Sequence, residues 1–87
     1  MRSTEAVITE IVEAYNCRWG QWVRVAEIAA KVGLTREELA AALETLMDED
    51  ETFRAEPEPF GHRVTAEDRA VAPVIGGEAR HLICWYS

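Results

Sequence analysis

With 87 residues the chain has the length of one domain, and its hydrophobic fraction of 48% can fill a single core without metals or disulfides. Its 16 acidic residues against 9 Lys and Arg give a net charge of −7, which excludes strong nucleic-acid binding unless basic residues gather locally. No apolar run has the length needed to cross a bilayer, and the first residues lack a signal-peptide pattern. We therefore expect a cytoplasmic protein that does not contact membranes.

The N-terminal segment has the periodicity of an amphipathic helix. Ser3 or Thr4 can cap its start, because a side-chain hydroxyl accepts a bond from a free backbone amide. Apolar residues recur at steps of three and four and predict one buried face, made of Val7, Ile8, Ile11, Val12 and Tyr15. The helix is expected to end within residues 16–20, where Asn and Gly tolerate a left-handed turn. Residues 22–25, Trp-Val-Arg-Val, then predict a strand of about three residues.

A second helix is predicted from Val25. Its apolar stripe consists of Ile28, Ala29 and Val32. The helix is expected to end at Gly33, because glycine readily adopts the left-handed conformation found after helix C-termini. Leu34 is expected to turn into the core directly afterwards.

A third, longer helix starts with a capping box. Residues 35–38 are Thr-Arg-Glu-Glu, so the side chains of Thr35 and Glu38 can each satisfy a backbone amide of the other. The apolar face of this helix consists of Leu39, Ala42, Leu43, Leu46 and Met47. The helix is expected to fray in the acidic run 48–51, because negative charge opposes the dipole at a helix C-terminus.

The second half of the chain changes to a strand pattern. Residues 52–56 alternate, with Phe53 and Ala55 on one side, as expected for a half-buried strand. Two prolines follow and force an extended turn, since each removes a backbone donor and disfavours helix before it. Residues 65–68, Thr-Ala-Glu-Asp, predict the start of a short helix that ends before Pro73.

The chain closes with a predicted strand. Residues 76–77 are two glycines, which indicate a hairpin or helix-exit turn. Residues 81–86 form the strand, with Ile83 and Trp85 facing inward. If the first and last strands pair, Trp22 and Trp85 become neighbours, and the commoner outcome is that both close the core under the sheet.

The order of these elements resembles that of winged helix domains. Residues 22–39, WVRVAEIAAKVGLTREEL, look like the helix-turn-helix core of bacterial winged helix regulators. In that comparison Ala29 is the small residue that lets two helices approach, and residues 33–35 form the turn before the recognition helix. The segments TAEDRA (65–70), GGE (76–78) and HLI (81–83) resemble a group of small actinobacterial winged helix proteins of unassigned function.

The resemblance implies an α+β fold of the winged helix-turn-helix type, with a three-helix core and a small antiparallel sheet. We expect a single domain over residues 1–87. Residues 1–47 would form the helical core, including the helix-turn-helix over 25–47. Residues 52–87 would supply the wing strands, with an extra short helix between them where ordinary wings have a hairpin loop.

The resemblance also implies a small DNA-binding transcription regulator, in which the helix starting at Thr35 lies in the major groove. By periodicity the residues that would meet DNA are Thr35, Arg36, Glu37, Ala41, Glu44 and Thr45. Arg36 would donate to guanine, and Glu37 would accept from a cytosine amine. Thr35 would contact a phosphate.

Further arginines are candidate phosphate contacts. Arg24 lies at the start of the second helix, and Arg54 and Arg63 lie on the expected wing. Each has an alternative interpretation as an ordinary solvated surface residue. A DNA-binding regulator of this type is expected to be a homodimer, because such proteins usually contact two half-sites.

The charge around the third helix supports a second hypothesis. Between Glu44 and Glu58 there are seven acids and only one base, Arg54, whereas DNA-binding proteins neutralise several phosphates. An acidic winged helix that docks onto a protein, or mimics DNA toward a basic partner, would not bind DNA. Its candidate partner contacts are Trp19, Glu44, Asp48 and Tyr86.

No catalytic, cofactor or metal site is expected. His62 and His81 have no Ser, Cys or Asp at a recognisable catalytic spacing, and the chain has no glycine-rich phosphate loop. Cys17 and Cys84 form no CxxC motif or Cys/His cluster. They are either small, half-buried apolar residues in a reducing compartment or a redox bridge, which requires Cα atoms within about 7 Å.

Overall fold

The computed structural model describes residues 3–15 and 20–86, which form a mixed α+β fold of four α-helices and two small antiparallel sheets. The elements in chain order are α1 (Thr4–Tyr15), β1 (Val23–Arg24), α2 (Val25–Val32), α3 (Arg36–Glu49), β2 (Phe53–Glu56), a 3-10 turn (Gly61–Arg63), α4 (Ala66–Val71), β3 (Val74–Ile75), β4 (Glu78–Ala79) and β5 (Leu82–Trp85). This order is compatible with a winged-helix-like arrangement. Within the described ranges, no helix has both the length and the apolar character required to span a bilayer.

The helix boundaries follow local capping signals. Ser3 Oγ accepts a hydrogen bond from the Ala6 amide at 3.2 Å, at the start of α1. Gly33 ends α2 with a φ of 75°, a left-handed conformation that residues with a Cβ adopt at a cost. At the start of α3, Thr35 Oγ1 accepts from the Glu38 amide at 3.1 Å, and Glu38 Oε1 accepts from the Thr35 amide at 3.0 Å. The predicted capping box and the predicted turn are confirmed.

The prediction that α3 ends within the acidic run 48–51 is confirmed, because its last helical residue is Glu49. Asp50 is the C-cap residue of α3, and its carboxylate accepts three hydrogen bonds. Its carboxylate accepts from the Thr52 hydroxyl at 2.6 Å, from the Thr52 amide at 2.9 Å and from the Trp85 indole at 3.2 Å. The hydrogen bonds from Thr52 lower the pKa of Asp50. One residue of the acidic run is therefore a structural anchor between α3 and β5.

The last strand lies in the middle of the larger sheet, whose order is β1-β5-β2. Both pairings are antiparallel, with Val23 opposite Ile83 and Phe53 opposite Trp85. The predicted pairing of the first and last strands is therefore confirmed. A second sheet consists of the hairpin β3–β4, whose turn contains Gly76 and Gly77 at φ values of 62° and 82°. Such a turn requires positive φ at both central positions, which explains the two glycines.

The core lies between the first three helices and the inner face of the larger sheet. The buried cluster consists of Val7, Ile11, Tyr15, Val23, Val25, Ile28, Ala29, Leu34, Leu39, Ala42, Leu43, Leu46, Phe53, Ala55, Ile75, Ile83 and Trp85. The prediction for Val12 is wrong, since it is 38% exposed; the buried residues of α1 follow a narrower stripe at steps of four. Cys84 is fully buried, and Cys17 lies outside the described residues, so both the interpretation as two small apolar residues and the alternative of a redox bridge stay predictions.

The two tryptophans expected to close the core behave differently. Trp85 is buried, whereas Trp22 is 43% exposed and meets Tyr86 edge-on, with ring centroids 6.2 Å apart. Alternation along β1 explains the difference, because Val23 faces the core and its neighbour therefore faces outward. The expectation that Trp22 lies under the sheet is wrong.

Tyr15 connects α1 to the closing strand. Its hydroxyl donates to the Gln21 carbonyl at 2.7 Å and accepts from the Trp85 amide at 3.3 Å. Its ring meets the Trp85 ring edge-on at a centroid distance of 4.8 Å. Burial raises the pKa of the Tyr15 phenol, although the bond from the Trp85 backbone opposes this shift.

Helix α4 is held to the rest of the molecule by a buried carboxylate. Asp68 is only 4% exposed and forms a second capping box with Thr65. Its carboxylate also forms an ion pair with Arg24, with Nη1 and Oδ2 2.6 Å apart. Burial raises the pKa of Asp68, but hydrogen bonds from Thr65 and the charges of Arg24 and His81 more than offset it. The net pKa is therefore lowered.

Removing the Tyr15 hydroxyl should destabilise the fold. We expect Tyr15→Phe to lower the free energy of unfolding by about 1–2 kcal/mol, because the Trp85 amide loses this partner in the core. The matched control is Tyr86→Phe, the same change at a residue that is 46% exposed, and it should cost less than about 0.5 kcal/mol. Urea unfolding of the two variants measures both values, and equal losses would contradict this role of Tyr15.

The Asp68 contribution should depend on pH. Because the pKa of Asp68 is lowered by folding, its ionised form stabilises the protein above the pKa of the unfolded chain. We expect Asp68→Asn to lower stability by about 1–2 kcal/mol at pH 7, a value reduced because Arg24 is partly exposed. The difference from the parent protein should shrink as pH falls below about 4.

Unfolding curves between neutral and acidic pH test this dependence. Glu67→Gln, at an exposed neighbour in the same helix, serves as the control and should not change the pH profile. If Asp68→Asn lowers the free energy of unfolding by the same amount at every pH, the negative charge of Asp68 does not contribute to stability.

Candidate functional site

The outward face of α3 carries a line of acidic residues. Glu37, Ala41, Glu44 and Asp48 are exposed, and their spacing of three and four places them on one side of the helix. We call these four residues the acidic stripe. Glu49 continues the negative charge at the C-terminal end. Within α3 no base follows Arg36. The acidic stripe therefore places three carboxylates, those of Glu37, Glu44 and Asp48, on one exposed side of the helix, with the uncharged Ala41 between the first two.

The acids at the C-terminal end of the acidic stripe do not stabilise their own helix, whereas Glu37 lies in the first turn, where negative charge is favourable. Glu44 and Asp48 are like charges four positions apart, an arrangement that costs about 0.2–0.5 kcal/mol. Asp48 and Glu49 also lie in the last turn, where negative charge opposes the helix dipole. The placement of Asp48 and Glu49 is therefore unfavourable for α3.

The residues predicted to begin the recognition surface have internal partners. Thr35 caps α3 with its hydroxyl. Arg36 Nη2 donates to the carbonyl of Arg69 at 2.7 Å and to that of Ala70 at 3.1 Å, near the C-terminus of α4. A guanidinium at this position satisfies carbonyls that the helix itself leaves free. Arg36 therefore connects the start of α3 to α4.

The structure brings three of the four predicted arginines to α4. Arg24 binds Asp68, and its Nη2 donates to the Arg63 carbonyl at 3.2 Å. Arg36 contacts the carbonyl of Arg69, and the Arg63 guanidinium lies over the Phe60 ring. We call Arg24, Arg36, Arg63 and Arg69, which these contacts to backbone carbonyls connect, the arginine cluster. Arg54 is not shown to join this cluster, because Nη1 donates to the carbonyls of Glu51 at 2.8 Å and of Phe53 at 2.9 Å.

The predicted partner contacts divide between two surfaces. Glu44 and Asp48 belong to the acidic stripe, whereas Tyr86 is exposed beside Trp22. Trp19 lies outside the described residues, so its prediction is not addressed. Thr45, predicted to point outward, is half-buried at the margin of the stripe.

Both histidines lie between β2 and β5. His62 is in the 3-10 turn, and His81 directly precedes β5. His81 Nδ1 accepts a hydrogen bond from the Glu58 amide at 3.0 Å, which fixes the proline-containing turn against the strand. The His62 ring lies 6.0 Å from the Phe60 ring. Among residues 3–15 and 20–86, no three His, Cys, Asp or Glu side chains are grouped so that they would hold a metal ion.

Sequence reasoning missed two features near this site. Phe60 is 51% exposed, and Asp68 is buried. Phe60 carried a signal, because it follows two prolines that keep the chain extended and away from the core. Asp68 carried only its capping-box position, and the pairing with Arg24 spans 44 residues of sequence.

Comparison with known proteins finds no matching family model, no matching curated protein and no matching solved structure. An assignment of function therefore rests on the acidic stripe and the arginine cluster.

Proposed function

We propose that this chain is a winged helix domain that docks onto a basic protein surface through the acidic stripe of α3. The winged helix assignment is supported by the sequence of α2, the left-handed turn at Gly33 and the capped helix α3. It is further supported by the antiparallel pairing of β2 with β5, the two strands expected to form the wing. Between them lie the 3-10 turn, α4 and the hairpin β3–β4.

The observation that carries the docking proposal is the sign of the charge on the acidic stripe. A recognition helix enters a major groove flanked by phosphates, so Glu37, Glu44 and Asp48 would meet negative charge on both sides. Toward a basic protein surface the same carboxylates are complementary and steer association. The chain's net charge of −7 acts in the same direction.

The internal bonds of the arginines strengthen this argument. Arg24 is neutralised by Asp68, and Arg36 donates to two carbonyls of α4. Some of their donors are directed toward the protein, whereas within residues 3–15 and 20–86 the carboxylates of the acidic stripe have no hydrogen-bond or ion-pair partner. A helix of 14 residues is about 21 Å long, which gives the stripe enough length for several contacts with a partner.

DNA binding is the second candidate function, and the arginine cluster supports it. Arg36 is the first residue of α3, at the end of a recognition helix that commonly reaches base edges, and the backbone of Arg69 lies beside it. Arg24 lies beside Asp68 and the backbone of Arg63. A guanidinium has five donors, so one or two internal bonds leave others for phosphate. Homodimerisation, expected for a regulator that reads two half-sites, stays a prediction of this candidate.

A charge reversal in the acidic stripe should separate stability from binding. In Asp48→Lys, the new lysine pairs favourably with Glu44 and with the helix dipole, so we expect about 1 kcal/mol of added stability. Binding to a labelled oligolysine peptide at about 0.15 M salt should weaken about threefold to fivefold. Urea unfolding and fluorescence anisotropy measure the two effects.

The matched control is Glu13→Lys, which makes the same charge change in the last turn of α1. With both variants compared at about 0.15 M salt, where the Debye length is about 8 Å, it should leave oligolysine binding within about twofold of the parent, because it changes net charge without touching the stripe. Equal weakening of oligolysine binding by both variants would show that binding depends on the net charge of the protein and not on the stripe. Micromolar binding to random duplex DNA that weakens with salt and is lost in Arg36→Glu would instead establish the DNA-binding candidate.

A further inference from the structure

An open groove lies on the outer face of the larger sheet, formed by residues outside the acidic stripe. Its volume is about 600 Å³, within the range of pockets that take small molecules or single side chains of a partner. The floor is the row Arg24–Leu82–Glu56, which the strand register places side by side across β1, β5 and β2. The neighbouring row, which includes Ile83, faces the core, so this row faces solvent.

Two exposed aromatic side chains form the walls of the groove. Trp22 is 43% exposed and Phe60 is 51% exposed. The turn that carries Phe60 is held in place, since the Glu58 amide binds His81 and the Glu58 carboxylate accepts from the Phe60 amide at 3.2 Å. A preformed aromatic site loses little conformational freedom when a ligand binds.

The charges in the groove favour a cationic ligand. Arg24 also lines it, but its charge is neutralised by the buried Asp68. That leaves the carboxylates of Glu56 and Glu58 against the single guanidinium of Arg63, so the balance is negative. An anion would therefore meet a net opposing charge.

The groove already contains one example of the contact that such a ligand would make. The Arg63 guanidinium lies over the Phe60 ring, 4.9 Å from its centroid. This is a cation–π arrangement, in which the negative face of an aromatic ring attracts a planar cation. Trp22, the better ring type for this interaction, is exposed in the same groove.

We propose that this groove binds an arginine side chain of a basic protein segment. The guanidinium stacks on Trp22 and donates to the carboxylates of Glu56 and Glu58. Arginine suits the site better than lysine, because its planar group stacks on a ring and donates to two carboxylates at once. The proposal rests on the proposed function only in taking the partner to be basic, and it concerns a separate set of residues.

The test is an NMR titration of the full chain with the peptide acetyl-Gly-Arg-Gly-amide, read at the Trp22 indole N–H. We expect saturable shifts of this signal. A peptide with citrulline in place of arginine has nearly the same shape without the charge, and it should bind at least about threefold more weakly. Equal binding of the two peptides, or no saturable shift at Trp22, would overturn the proposal.

Two variants test whether the groove binds cations or anions. Arg63→Ala removes both an internal competitor for the aromatic wall and a like charge, so the arginine peptide should bind about threefold more tightly. In the double variant Glu56→Gln and Glu58→Gln, binding should weaken by a similar factor, while the amide of Gln keeps the acceptor for Phe60. A site for anions would give the opposite pair of results.

The groove and the acidic stripe can fail separately. Asp48→Lys should leave the Trp22 titration with the arginine peptide within about twofold, because Asp48 is not among the residues that line the groove. If the groove binds the arginine peptide but Asp48→Lys does not change oligolysine binding, only the docking proposal for α3 fails. If the stripe responds but Trp22 does not, the groove proposal fails alone.

Discussion

The fold depends on the burial of Trp85 in the closing strand. Its ring packs between Tyr15 of α1 and Phe53 of β2, at centroid distances of 4.8 and 4.7 Å. Its backbone amide binds the Tyr15 hydroxyl, and its indole N–H binds Asp50 at the end of α3. One residue near the C-terminus thus connects both ends of the helical core to the sheet. Since β5 also pairs with β1 and β2, the outer face of the sheet exists only when this strand is in place.

A second constraint is the way the chain uses its few bases. Arg24 pairs with a buried carboxylate, and Arg36 donates to α4. Arg80 donates to the carbonyl of Ala55 at 2.9 Å and to that of Ile75 at 3.0 Å, joining β2 to the hairpin β3–β4. These arginines act as cross-links within the protein. The donors of these arginines are used within the protein, whereas the exposed side of α3 carries Glu37, Glu44 and Asp48.

The sequence predicted features that depend on neighbouring residues. The capping box of Thr35 and Glu38, the left-handed Gly33 and the inward alternation of Phe53 and Ala55 are all determined within a few positions. These patterns are reliable because they express backbone geometry, which distant contacts seldom override. The predicted order of the four helices and of the strands in the larger sheet is confirmed, whereas β3 and β4 were predicted only as a turn at the two glycines.

Features that depend on tertiary packing escaped prediction. Arg24 pairs with Asp68, and Arg36 binds α4, so both contacts join residues far apart in sequence. The exposure of Trp22 likewise depends on how the strands pack. The arginines of the candidate site could be named in advance, but whether they point at a partner or at the protein depends on α4. That short helix was predicted, whereas its position beside α2 was not.

The central claim is that β5 is an integral part of the core rather than an edge added to a helical domain. Native-state hydrogen exchange of the Leu82–Trp85 amides tests it most directly. If Trp85 holds the fold together, these amides exchange only through global unfolding, with the same free energy as the buried amides of α3. Exchange of β5 through a local opening of much lower free energy, while α3 stays protected, would contradict the claim.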